Sequence, residues 1–199
     1  MGGDLYKMLV AYNAQQQLRA NFGNLLKSGK MADVTIEVNG ELFQAHRAML
    51  AARSPAFRAE LFGLIVESKP RHIKIEDIET AVFKYLLEYI YTDTFDGKLE
   101  IPSTNLALQL LVVGDRYRME GLKLKCEEKL SKSVSLDSVL SYFALAEQHN
   151  CSKLRESCFK FVNIFTKEYL QFMQNHPNLV AELHKRIIFF GAEEEVAQD

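Results

Sequence analysis

The spacing of apolar side chains changes character along this chain, and each change marks an element. Over residues 4–27 they fall at Leu5, Met8, Leu9, Tyr12, Leu18, Phe22, Leu25 and Leu26. Leu18, Phe22 and Leu25 stand at i, i+4 and i+7, one helical stripe, with Asp4 placed to cap the start and Ser28-Gly29 to stop the helix. Gln15, Gln16 and Gln17 interrupt the pattern, which predicts a looser first half. No earlier element of the sequence can cover this helix, so its stripe must meet either the chain's own core or another chain.

The period then drops to two. "DVTIEV" alternates Val34, Ile36 and Val38 against Thr35 and Glu37, and Asn39-Gly40 leads into "ELFQA". Two strands joined by Asn-Gly predict a tight hairpin, because both residues tolerate positive φ. "FQAHRAMLAARSPAFRAELF" resolves into two short helices, the first over His46–Ala52. Ser54 caps the second, Pro55 fills its first turn where a missing N–H costs nothing, and Gly63 ends it. "RHIKIED" predicts a third strand. Thr80 opens a helix through Tyr91 with Val82, Phe83, Leu86, Leu87 and Ile90 as its core stripe. From about Ser103 the chain is all-helical, in two similar pairs: "TNLALQLLVVGDRYRM" with "EGLKLKCEEKLSKSV", and "LDSVLSYFALAEQHN" with "CSKLRESCFKFVNIFT". A last segment from Lys167 reads as helix, break at His176-Pro177, helix. The fold class is therefore α+β, a small sheet with helices followed by stacked helical hairpins. No Gly/Ser/Pro-rich linker separates the parts, so the boundary near Ser133-Val134-Ser135 is expected to be packed.

Composition narrows the function by exclusion. A net charge of -2 gives no footprint for a phosphate backbone. The nearest approach to a basic stripe, Lys123, Lys125, Lys129 and Lys132, is interleaved with Glu120, Glu127 and Glu128. No nucleic-acid or membrane partner is expected. Cys126, Cys151 and Cys158 are odd in number and sit in apolar helical patterns, which argues for reduced thiols and an intracellular home. The N-terminus lacks the marks of a secretory signal, and "GAEEEVAQD" reads as a solvated tail.

Catalytic and metal-binding patterns are not found. The cysteines are too far apart for a zinc knuckle, and His149 with Cys151 flanks a turn. Ser54 is already occupied as a helix cap, and no nucleophile elbow, phosphate loop or dinucleotide fingerprint occurs. Neither a catalytic site, a metal nor a cofactor is expected. His46-Arg47 admits two readings, a charged binding pocket or a structural pair in which His46 satisfies backbone and Arg47 meets Asp33. The run Leu64-Ile65-Val66-Glu67 also admits two: continuation into the core, or a hot spot for another protein.

Taken together, "ADVTIEVNGELFQAHRAMLAARSPAFRAELF", "VFKYLLEYIYT" and "GDRYRMEGLKLKCEEKL" resemble the BTB/POZ domain, most closely the MATH-BTB subgroup of speckle-type POZ protein and its plant relatives. The likeness covers about residues 18–133. Residues 134–190, with "LAEQHN", "KLRESCFKFV" and "HPNLVAEL", resemble the BACK region of that subgroup. The resemblance divides the chain into an N-terminal helical dimerisation element (1–30), a BTB/POZ domain (31–133), a BACK-like region (134–190) and an acidic tail (191–199). It implies a substrate adaptor of a cullin-3 ubiquitin ligase, a homodimer that binds the cullin's N-terminal region in the nucleus and/or cytoplasm. Leu18, Phe22, Leu25 and Met49 fall where the subgroup places dimer contacts. Ile65 and Glu67 fall on its hydrophobic-x-Glu cullin motif, and Tyr117 lies in the helical region forming the second part of that surface. Asp33 and Arg47 become a structural charge pair. Two departures accompany the likeness. The residues before the hairpin are too few for a MATH domain and read as helix, and Val66 with Pro70 alters the cullin loop in a way expected to weaken docking. A MATH-less partner that pairs with other BTB proteins is the alternative function. A transcription-repressor module is a third, though no zinc fingers or basic region accompany it.

Overall fold

The computed structural model describes residues 2–63 and 72–179. Eight helices and three strands occur among them: α1 (Gly2–Ser28), β1 (Val34–Val38), β2 (Glu41–Ala45), α2 (Arg47–Arg53), α3 (Pro55–Phe62), β3 (His72–Ile75), α4 (Thr80–Thr92), α5 (Thr104–Arg116), α6 (Glu120–Ser131), α7 (Val139–Gln148) and α8 (Ser152–Asn175). The hairpin forms as the alternation requires. Val34, Ile36 and Val38 are buried, β1 pairs antiparallel with β2 from Val34↔Ala45 to Val38↔Glu41, and Asn39 and Gly40 both adopt positive φ, 48° and 85°. That is the twist of a two-residue turn matched to right-handed strands. β3 returns parallel to β1, Thr35↔His72 through Val38↔Ile75, giving a mixed sheet of order β2-β1-β3.

α4 lies against this sheet. Phe43 of β2 meets Phe83 of α4 edge-on at 5.2 Å, and the expected stripe Val82, Phe83, Leu86, Leu87 and Ile90 is buried throughout. The turns are tied as well, since Asn39 Nδ2 donates to the Ile78 carbonyl at 2.8 Å. α5 and α6 form one antiparallel pair and α7 and α8 another, all sharing a single buried cluster with the sheet.

Three local expectations change. α1 is a continuous helix, and the three glutamines do not loosen it. α2 begins at Arg47, with His46 as the flanking residue. α8 runs unbroken through Thr166-Lys167 to Asn175, so the segment from Lys167 is not a separate helix; the break falls at His176 as expected. Polar residues at 166–168 suit an exposed helix as well as a loop, and this part of α8 is exposed. The acidic tail and most of the segment after Pro177 lie outside the described residues.

Ser54 carries a double role at the heart of the fold. Its Oγ accepts from Phe57 N–H at 3.1 Å, capping α3, and donates to the Tyr117 carbonyl at 2.7 Å. Ser103 caps α5 alone, accepting from Leu106 N–H at 3.1 Å. Ser103→Ala should therefore cost about 1 kcal/mol, whereas Ser54→Ala, which also strands a buried carbonyl, should cost about 2–3 kcal/mol. Urea unfolding of both variants tests the order; equal losses would show that the second bond contributes nothing.

Candidate functional site

The residues assigned to a dimer seam sit on α1 and α2. Leu18 is exposed, while Phe22, Leu25 and Met49 are half-buried and packed on the core. The last three thus belong partly to their own chain already, and Leu18 alone stands free. Ile65 and Glu67 lie outside the described residues.

Tyr117 is not a surface group. It is 5% exposed, its ring stacks on Phe57 with centroids 4.4 Å apart, and burial pushes its phenol up to about 12. Its place in the core rules it out as a contact for another protein. It holds the start of α3 to the end of α5.

Asp33 and Arg47 are brought together, but not as a charge pair. The Asp33 carboxylate accepts from the backbone N–H of Arg47 at 2.8 Å, so it caps α2 from outside the helix. The guanidinium turns the other way. Its Nη2 donates to the Leu61 carbonyl at 2.7 Å and it lies over the Phe62 ring at 4.5 Å. Arg47 therefore ties the end of α3 to α2. An orphan carbonyl in a helix's last turn attracts a guanidinium that no buried carboxylate reaches.

His46 does satisfy backbone. Its Nε2 lies 2.8 Å from the Lys30 carbonyl and its Nδ1 2.8 Å from the Tyr91 hydroxyl, which also accepts from the His46 N–H. A carbonyl can only accept, so Nε2 carries the proton and Nδ1 takes the Tyr91 O–H. Burial pushes the Tyr91 phenol up to about 12, with the His46 amide opposing.

The residues that sequence reasoning passed over join the two helical pairs. Asp115, at the end of α5, accepts from Lys123 Nζ at 2.8 Å and pairs with His149 Nδ1 at 2.9 Å. Lys123 and His149 are 6% and 8% exposed. Hydrogen bonds from His149 and then Lys123 hold the Asp115 carboxyl below the usual carboxylate range. Burial pulls the Lys123 ammonium down, but Asp115's hydrogen bond and charge outweigh it, and the ammonium titrates above its ordinary value. One helical turn on, the buried Glu127 accepts from the N–H groups of Lys153 and Leu154 at 3.0 and 3.1 Å, capping α8. The available signal was spacing: Lys123, Glu127 and Leu130 stand at i, i+4 and i+7 on one helical face.

Among the described residues no cluster of three or more His, Cys, Asp or Glu is placed to hold a metal ion. The three cysteines are free and buried. Burial pushes the Cys151 thiol up to about 11 and Cys126 higher still, so both stay protonated. Many of the apolar side chains left in solvent lie on the outer helices, among them Leu5, Tyr6, Met8, Leu9, Val10, Tyr12 and Leu18 on α1, Leu140 on α7, and Phe159, Ile164 and Leu170 on α8; others, such as Met31, Leu42, Leu124 and Leu136, are scattered elsewhere. Exposed apolar side chains of this kind offer surfaces to other proteins.

A three-stranded mixed sheet under α4, extended by helical hairpins, matches known domains along its length. Residues 22–134 match the BTB/POZ domain and residues 138–184 the BPM/SPOP BACK domain. The chain belongs to the BTB/POZ family, whose role here is protein interaction. Among its relatives, BTB/POZ and MATH domain-containing protein 4 of Arabidopsis thaliana is 37% identical over 195 residues, covering 89% of this chain and 41% of the relative. Protein 6 of that series is 33% identical, covering 91% and 48%, and protein 3 is 35% identical, covering 80% and 43%. The chain thus spans less than half the length of these curated relatives. Among solved structures, the BTB domain of zebrafish PATZ1 aligns with a TM-score of 0.49 and 24% identity, over 61% of this chain and 94% of that one.

The joint between the pairs gives an ordered expectation. Glu127→Gln keeps an acceptor oxygen and should cost less than Glu127→Ala, which strands two amides at about 1–3 kcal/mol. Asp115→Asn tests the charge. A carboxyl whose folded pKa lies below its unfolded value adds stability that is complete above the unfolded value of 3.8 and is lost as pH falls through the lowered one. The part of the stability gap between the parent and Asp115→Asn that comes from the carboxylate should therefore be present above about 4 and shrink as pH falls below it. Asp115 is about a third open to solvent, so screening keeps the gap modest. Urea titrations at stepped pH measure it, and a gap that does not shrink as pH falls below about 4 would refute the assignment.

Proposed function

We propose that this chain is the dimeric, cullin-3-binding part of a substrate adaptor for a ubiquitin ligase, with no catalytic chemistry of its own. The observation that carries this reading is the order of the two matched domains, BTB followed by a BPM/SPOP-type BACK region, shared over 80–91% of the chain with plant BTB/POZ and MATH domain-containing proteins. In this reading Leu18, Phe22, Leu25 and Met49 face a second copy. Each side chain fully covered there would contribute roughly 1.5–3 kcal/mol before the costs of association; the three half-buried ones contribute less. Ile65 and Glu67 contact the cullin. Tyr117, buried against Phe57, makes no contact itself.

Several features support the reading. α1 leaves an apolar side chain, Leu18, in solvent on the same helical row as the half-buried Phe22 and Leu25. Ser54 and His46 are held in structural bonds, Ser54 as a cap and His46 between two oxygens, and burial keeps the Cys126 and Cys151 thiols protonated.

Titration calorimetry of the chain with the cullin-3 N-terminal region should show binding at micromolar concentration. Ile65→Ala combined with Glu67→Ala should weaken it at least tenfold while light scattering still reports a dimer. No heat at tens of micromolar, where binding free energies are only about −6 to −7 kcal/mol, would sink the cullin reading and leave the dimer reading to be judged by scattering.

A further inference from the structure

β2 is an edge strand of the sheet, and part of its backbone faces no partner. The two-residue turn at Asn39-Gly40 makes Val38 and Glu41 a hydrogen-bonded pair. Alternation then pairs Ile36 with Phe43 and Val34 with Ala45 in the same way. In step with this, the Asn39 N–H donates to the Ile75 carbonyl, on the β3 side. Leu42 and Gln44 are left with N–H and C=O groups that point away from β1. Among the described residues no hydrogen bond from outside the sheet reaches these backbone groups. Natural edges are blunted by charge, proline, a bulge or a covering element. Here Leu42 is 59% exposed, and the one charged residue of the strand, Glu41, is held by Lys84 at 2.8 Å.

A groove of about 590 Å³ runs along Leu42–Gln44, between β2, the end of α1 and α4. Leu26, Phe43 and Leu87 give it an apolar lining, and Lys27 stands in its wall. The end of α1 lies beside the Gln44 end of the strand, since a Cβ on Gly29 would stand 3.6 Å from Gln44 Cβ. The carboxylates of the groove are already engaged. Glu41 pairs with Lys84 at the hairpin end, and Glu88 accepts from the N–H groups of Asp96 and Gly97 at 3.0 Å each. The ammonium groups of Lys27 and Lys30 have no partner among the described residues.

We propose that this edge docks an extended segment of another protein as an added strand, with apolar side chains at alternate positions and acidic ones at the end that reaches Gln44. Leu42 and Gln44 present two donors and two acceptors in strand spacing, the main-chain half of strand addition. Successive side chains of an added strand point to opposite faces, so every second one enters the apolar groove. The unpaired ammonium groups at one end supply the charge complement and fix which end of the segment is acidic. A second copy pairing edge to edge would bring only Glu41 to these lysines, and Lys84 already holds that carboxylate. Such a surface needs neither the cullin contact nor the dimer. It lets the BTB body recruit a protein directly.

Selection of a random twelve-residue peptide display library on the full chain tests this. Enriched sequences should alternate apolar residues and carry Asp or Glu at one end. A synthetic peptide of the enriched sequence should slow amide exchange at Leu42 and Gln44, which exchange freely in the chain alone. Its binding should weaken at least tenfold in Leu42→Pro, which removes an outward N–H and leaves the β1 ladder intact, and in Lys27→Glu with Lys30→Glu. If Leu42→Pro loses its circular dichroism, the lysine variant and the exchange pattern decide. A library that yields no enriched sequence overturns the inference, and so does a bound peptide that leaves both amides unprotected. Protection of both amides in the chain alone that grows with its concentration overturns it too, because the occupant is then a second copy.

Discussion

The first turn of a helix carries amide N–H groups that its own backbone cannot satisfy. In this protein distant elements supply two of the missing acceptors, a local cap reaches across to a third element, and the positions of the helices follow from that. Asp33, just before β1, caps α2. Ser54 caps α3 and in the same hydroxyl holds the end of α5. Glu127, midway along α6, caps α8. A cap within one element is worth about 1 kcal/mol. The Glu127 cap, shared between elements, costs more to lose, because moving either helix leaves a buried carboxylate and two amides without partners at once. Hydrophobic burial draws the helices together without fixing their angle; these polar contacts fix it.

This explains what could be read in the sequence. The hairpin was legible because the alternation of Val34, Ile36 and Val38 and the positive φ of Asn39-Gly40 are local facts. So were the α4 stripe and the Ser54-Pro55 helix start. The targets of Asp33, Arg47 and Glu127 were not, because each side chain answers a backbone group that only tertiary folding brings near. Opposite charges on neighbouring elements invited an ion pair between Asp33 and Arg47. The backbone offered each a nearer partner: an N–H at the start of α2 for the carboxylate and the Leu61 carbonyl for the guanidinium. Lys123 and Glu127 read as interleaved surface charges by count, although their spacing with Leu130 already put them on an inward row. The parallel pairing of β3 with β1 is non-local in the same way, since the alternation of a strand names its buried face and not its neighbour.

The same logic sorts the candidate site. Tyr117 carries the aromatic and hydroxyl groups favoured at interfaces, which is why its place in a family motif suggested a contact. Stacking on Phe57 leaves it almost no surface to offer. Leu18 is the reverse case, an apolar residue that the core could have taken and did not. Surface left over once the chain's own demands are met is what remains for a partner. That surplus is concentrated on α1 and on the outer faces of α7 and α8 rather than around the polar groups.

An adaptor with more than one binding face transmits geometry only as well as its joints are stiff. Here the joint between the BTB and BACK parts is made by groups that tolerate little rotation: Asp115 held by Lys123 on α6 and His149 at the end of α7, and Glu127 reaching the first amides of α8. A purely apolar joint of the same size could slide by a fraction of a turn at small cost, because dispersion and burial are non-directional. Hydrogen bonds to charged groups are directional and are worth roughly twice a neutral one. If the chain holds partners at fixed angles, as proposed, charges in such a place serve it even though apolar side chains could fill the joint with equal or greater stability.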